Sequence, residues 1–163
     1  MTKRLRLAGI AAAASVLAAA AAAQTAPPPA ATRTPAPASA DCPARGTELP
    51  LPRLFGQWEA RIEGTEGVAK VKLNQHPDYA GVRGTITRAV PGKPDSVGQL
   101  AGDIDDDGML SLDESLDGRG ISGVWLGELQ PASCGRQWKG VWRNAADESL
   151  KPFVLDKTGP ATP

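Results

Sequence analysis

The chain of 163 residues is short of the residue types most catalytic sites are built from: it has one histidine, one tyrosine, two phenylalanines and two cysteines. With His76 as the sole imidazole and no nucleophile motif, neither a Ser-His-Asp nor a Cys-His set can be assembled. His76 precedes Pro77 in a polar stretch and reads as a solvated loop side chain. The two cysteines form no CxxC pair, which removes the common redox and zinc patterns. An excess of one charge is missing too, since eighteen basic residues face eighteen acidic ones. Without a basic patch, nucleic acid is an unsuitable partner. No window of useful length has helical periodicity, because glycine interrupts every candidate. An enzyme is therefore not expected.

The one long apolar run lies at the N-terminus. Lys3, Arg4 and Arg6 precede an alanine-rich stretch from Leu7 to Ala23, the charged, apolar and small-residue order of a secretory signal peptide over residues 1–23. A membrane span fits less well, because the run is short, mostly alanine and followed at once by prolines. Asp41 precedes Cys42 where a lipidated cysteine would need a small residue. The expectation is a soluble periplasmic or secreted product with no membrane association after cleavage. Without the three signal bases, fifteen basic residues face eighteen acids, a net charge near −3. Residues 24–40, rich in Ala, Pro and Thr, read as a disordered linker that cannot bury enough apolar surface to offset its ordering entropy. Residues 41–157 are left for one small domain, with a flexible tail at 158–163. In an oxidising compartment, Cys42 and Cys134 are expected to form a disulfide.

Within the domain, apolar and polar residues alternate with period two. Trp58, Ala60 and Ile62 share one face, as do Ala69, Val71 and Leu73, and then Val82, Gly84 and Ile86. Further strands are predicted over 98–104 and 109–114. Ile121, Gly123, Trp125, Gly127 and Leu129 share a face, as do Trp138, Gly140 and Trp142. A last strand, over 150–155, is weakened by Pro152, which suits an edge or a strand end. Eight short strands joined by turns predict an all-β antiparallel up-and-down meander, with a closed barrel preferred to a sandwich. The preference rests on Gly56-Gln57-Trp58, Gly123-Val124-Trp125 and Gly140-Val141-Trp142, in which a missing side chain beside each indole would suit a narrow barrel interior.

Gly56 and Trp58 on the first strand of such a meander resemble the calycin barrels: lipocalins, avidins and the lipocalin-like exported inhibitors of bacterial proteases. The resemblance covers residues 54–155 in architecture, and only Gly56 and Trp58 in motif. It implies a binding or inhibitory module for a small molecule or a protein, without catalysis. An arginine packed over the first-strand tryptophan belongs to that pattern, and Arg143 is the nearest candidate.

Seven acids, from Asp103 to Asp117, occur before the next base, Arg119. Asp103, Asp105, Asp107, Gly108, Leu110, Ser111 and Glu114 fall in order on the places of a twelve-residue calcium loop, with the Met109 carbonyl as a further ligand. Calcium is thus a candidate cofactor, and a calcium-binding protein the alternative function. The same letters spell a β-hairpin with its turn at Asp106-Asp107-Gly108. No flanking helix is predicted, which favours the hairpin. Glu114 would then share the core face with Leu110 and Leu112, and would need a partner or a place at the barrel mouth. Trp58, Trp125, Trp138 and Trp142 are candidates for lining a ligand cavity, against the plainer role of filling the core.

Overall fold

The computed structural model describes residues 42–161. The predicted signal at 1–23 and linker at 24–40 lie outside them. Eight strands follow in order: β1 (Gly56–Ile62), β2 (Ala69–Gln75), β3 (Val82–Arg88), β4 (Ser96–Ile104), β5 (Met109–Ser115), β6 (Gly123–Leu129), β7 (Gln137–Asn144) and β8 (Leu150–Gly159). Each pairs antiparallel with the next, and β8 returns to β1, so the meander is a closed up-and-down barrel. Closure removes both sheet edges.

Period-two patterning decides the faces. Trp58, Leu73, Ile86, Leu110, Leu112, Trp125, Trp138 and Leu155 are all buried inside the barrel. The indoles of Trp58, Trp125 and Trp138 fill its interior, and Phe153 meets Trp125 edge-on at 4.9 Å between ring centroids. The Gly-x-Trp repeats work differently from the sequence expectation. A Cβ at Gly123 would collide with the indole of Trp142 on β7, and one at Gly127 with the ring of Phe153 on β8. At these two positions a ring from another strand takes the space, whereas at Gly56 and Gly140 a Cβ would meet the neighbouring backbone at the Gly159 and Leu126 carbonyls; in each case the neighbour comes from another strand, because neighbouring strands lie closer than i and i+2 on one strand.

Three placements differ from expectation. β6 begins at Gly123, so Ile121 leaves the core face and stands exposed in the β5–β6 loop. β8 continues to Gly159, two residues beyond the expected domain end at Lys157. Pro152 lies inside β8 rather than at an edge. Its carbonyl accepts from Glu63 N–H, beyond the last β1 residue, Ile62. A residue's N–H and C=O point to the same neighbour, so the donor that proline lacks falls outside the β7 ladder.

The two ends of the barrel are unlike. One end is sealed by the segment before β1, where two 3₁₀ turns, Gly46–Glu48 and Leu51–Leu54, bury Leu49 and Leu54. Trp58 Nε1 donates to the Leu54 carbonyl at 2.8 Å, Lys157 Nζ to the Arg53 carbonyl at 2.5 Å, and Arg53 Nη2 to the Cys134 carbonyl at 2.9 Å. The Cys42–Cys134 disulfide ties this segment to the β6–β7 loop. The cation over the first-strand indole is Lys157, with Nζ 5.3 Å from the Trp58 ring centroid. Arg143 alternates to the outside, 3.8 Å from exposed Glu148. Burial, helped by the neighbouring Arg53 and Arg136 charges, holds the Lys157 ammonium below its usual pKa.

Trp138 Nε1 is buried and finds no acceptor among the described residues, whereas Trp125 Nε1 donates to Glu114 at 3.1 Å. Both substitutions Trp138→Phe and Trp125→Phe remove ring volume, but only the second also removes a hydrogen bond to a carboxylate. Trp125→Phe should therefore cost about 1–2 kcal/mol more in urea unfolding. Equal costs would mean that the Trp125–Glu114 bond contributes nothing.

Candidate functional site

The open end of the barrel is built around Glu114. As the sixth residue of β5 it shares the inward face with Leu110 and Leu112, and at 2 % exposure it is the buried charged side chain of the core. Its partner is Arg88, which ends β3 in register with inward Val82 and Ile86. Arg88 Nη1 donates to Glu114 Oε1 at 2.5 Å and Nη2 to Oε2 at 2.8 Å, a two-pronged charge-assisted pair. Oε2 also accepts from Trp125 Nε1 at 3.1 Å and Trp142 Nε1 at 3.2 Å. Four donors thus converge on one carboxylate, which offsets the cost of burying it. Gly98 on β4 makes room: a Cβ there would lie 3.3 Å from Glu114 Cγ and Oε1.

Above this floor is a cup of about 520 Å³. Its walls include Ile62 and Thr65 from the β1–β2 end, Leu116, Ile121 and Ser122 from the β5–β6 loop, and Ala145, Ala146 and Lys151 beside Trp142. Trp142 is half-buried, with Trp125 edge-on at 6.5 Å and Lys151 Nζ 6.0 Å from its ring centroid. Leu116 and Ile121 are both 54 % exposed and form an apolar lip. The lip is held in place at both ends. Ser122 donates through N–H and hydroxyl to the Glu114 carbonyl at 2.7 and 3.0 Å, and Asp117 accepts from Gly120 N–H at 3.0 Å and Arg119 N–H at 2.9 Å. Those backbone bonds keep the Asp117 carboxyl below the ordinary carboxylate range. Its support for the turn is therefore present above the unfolded pKa and lost as pH falls through the lowered folded value.

Of the four tryptophans considered for a ligand cavity, only Trp142 lines the cup. Trp58, Trp125 and Trp138 are buried in the core, Trp125 directly beneath the cup, where it donates to Glu114 and meets Trp142 and Phe153 edge-on.

The six candidate calcium ligands are not brought to one point. Asp103 and Ser111 are cross-strand partners of the β4–β5 hairpin and face outward, while Glu114 faces inward, where Arg88 and the two indoles hold it. Asp105 Oδ1 accepts from Asp107 and Met109 N–H at 3.0 and 2.8 Å, and the Met109 carbonyl accepts from Asp105 N–H at 2.9 Å. Gly108, with φ 84°, completes a tight turn with a bulge. Strand alternation thus separates the oxygens that the sequence spacing lined up. Among the described residues, no group of three or more His, Cys, Asp or Glu is placed to hold a metal ion.

A second concavity, of about 610 Å³, lies on the outer face of β2 to β5 and is lined by His76, Arg83, Asp113 and Arg119 among others. There His76 Nδ1 accepts from Asp78 N–H at 3.2 Å and its ring lies 3.9 Å from that of Tyr79, a loop-shaping role. The residue that sequence reasoning missed is Arg88. Its signal was available: a glutamate on a core face demands a cation, and Arg88 continues the inward series Val82, Gly84, Ile86.

The closed eight-stranded barrel is consistent with a small barrel of the calycin kind. No protein-family model matches the chain, and no curated protein matches it.

Proposed function

We propose that the protein is an exported, lipocalin-like binding module whose ligand seat is the cup at the open end of the barrel. The single observation that carries this reading is the Glu114–Arg88–Trp125–Trp142 network beneath an apolar lip. A buried, four-way satisfied carboxylate costs more to build than an apolar core layer of equal volume, and such networks fix the position of the groups around them. What it fixes here is a half-buried indole and a guanidinium at the floor of a concavity of ligand size. The sealed opposite end, with Lys157 over Trp58, supports the lipocalin-like comparison made from Gly56 and Trp58. The Cys42–Cys134 disulfide and the N-terminal stretch over residues 1–23 support export to the periplasm or the medium.

The test uses a neutral apolar fluorophore, N-phenyl-naphthylamine. It should bind with a change in tryptophan emission, because Trp142 borders the cup, and Ile121→Arg should abolish that binding while leaving the melting temperature unchanged. Binding that survives both Ile121→Arg and Leu116→Arg would place the fluorophore elsewhere and overturn the reading.

A further inference from the structure

We infer that the cup takes an amphiphile carrying a single negative charge, with its apolar body against the Trp142, Leu116 and Ile121 surfaces and its anionic group on Lys151. This inference rests on the proposed binding role and adds the chemistry of the ligand to it.

The argument is an inventory of charge among the residues that line the cup. They include two cations, Arg88 and Lys151, and one acid, Glu114. Glu114 is fully engaged by Arg88 and two indole N–H groups, so it has nothing to offer a cationic ligand. Arg88 is neutralised by that pair, yet only two of the five guanidinium N–H groups are used, and its side chain is 21 % exposed at the cup floor. Lys151 is the uncompensated charge. Its ammonium stands over the Trp142 ring and makes no ion pair among the described residues. Asp147 accepts from the Ser149 hydroxyl at 2.7 Å and N–H at 3.0 Å, bonds that hold its carboxyl below the usual range with a smaller contribution from Lys151, and it is not part of the cup wall.

The rest of the wall is mostly carbon, with Ser96 and Asn144 as further neutral polar residues; Asn144 Oδ1 accepts from Ala146 N–H at 2.9 Å. Ile62, Leu116, Ile121, Ala145 and Ala146 present carbon, Ser122 donates to the Glu114 carbonyl, and Thr65 donates to the Ile62 carbonyl at 2.5 Å. A ligand entering the cup therefore meets carbon on most sides, one free ammonium at the rim and unused guanidinium donors at the floor. A cationic amphiphile would stand against Lys151 with no free carboxylate in the lining to receive it. A neutral one would leave the ammonium to be partly desolvated without a partner. A carboxylate, sulfonate or phosphate monoanion on an apolar body gives Lys151 a counter-charge and the carbon wall an apolar partner.

Calorimetry on the mature protein, with decanoate, decanol and decyltrimethylammonium each kept below its micelle concentration, tests this. Decanoate should bind at least about tenfold more tightly than either of the others, as expected for one charge-assisted contact. Lys151→Met should remove the preference for decanoate, lowering its affinity at least about tenfold while decanol binds as well as before or better, and Lys151→Arg should keep the preference. Equal affinity for all three, or decanoate affinity indifferent to Lys151→Met, would overturn the inference. If N-phenyl-naphthylamine still binds in an Ile121-dependent way in that case, the binding role of the cup stands and only its charge selectivity falls. If neither decanoate nor the fluorophore binds, both fall together.

Discussion

Glu114→Ala is expected to cost about 3–5 kcal/mol of folding free energy, because removing one partner of a buried ion pair leaves the other charge and its donors uncompensated. The effect is large here because Glu114 is a shared acceptor. Arg88 loses both of its hydrogen bonds, and the Trp125 and Trp142 indoles lose theirs in the same step. Trp125 is buried and cannot turn its N–H to water, whereas Trp142 can do so in part. Against a total stability of about 5–15 kcal/mol for a domain of this kind, such a loss approaches the threshold for folding. The control is the pair of changes made together, Glu114→Leu with Arg88→Met. It removes both charges and replaces them with carbon, and should recover much of what either single change loses. Urea unfolding followed by tryptophan emission reads all three. If Glu114→Ala costs less than about 1 kcal/mol, the carboxylate is not the centre of the network, and the mouth would have to be described differently.

The disulfide should have an effect of similar size for an unrelated reason. Cys42 and Cys134 are 92 residues apart in sequence, so the bond closes the chain from the plug through β6 into one loop, with β7 and β8 outside it. Restricting the unfolded chain over that length is worth about 4–5 kcal/mol in the chain-entropy account. Reduction, or Cys42→Ser with Cys134→Ser, should lower the melting temperature by more than any single surface change, and thiol counting on the native protein should find none free. Its structural consequence is local as well as global. Cys42 anchors the segment whose Leu49 and Leu54 seal the barrel end, so reduction should loosen that seal first and raise hydrogen exchange around residues 46–55 before the strands themselves open. Unchanged melting on reduction would show that the plug holds by packing alone.

The sequence by itself determined the eight strands, their inward faces and the cysteine pair. Alternation with period two is a local property, and each strand carries enough of it to declare which side is buried, as in Trp58-Ala60-Ile62 and Leu110-Leu112-Glu114. It also determined that Glu114 would need a partner, since a carboxylate on a core face cannot stay alone. Which partner was a matter of register between strands distant in the chain. Arg88 and Glu114 are 26 residues apart, and no local pattern places the end of β3 against β5 across the barrel mouth. The same reason separates the two readings of the acidic stretch. The spacing of Asp103, Asp105, Asp107 and Glu114 fits a calcium loop and a hairpin equally, and only the pairing of β4 with β5, which sends Asp103 outward and Glu114 inward, chooses between them. Long-range pairing also gave Gly123 its occupant, Trp142, turned Ile121 from an expected core residue into part of the lip, and put Lys157 rather than Arg143 over Trp58. Side-chain direction is written locally, whereas which side chains meet depends on how the barrel closes.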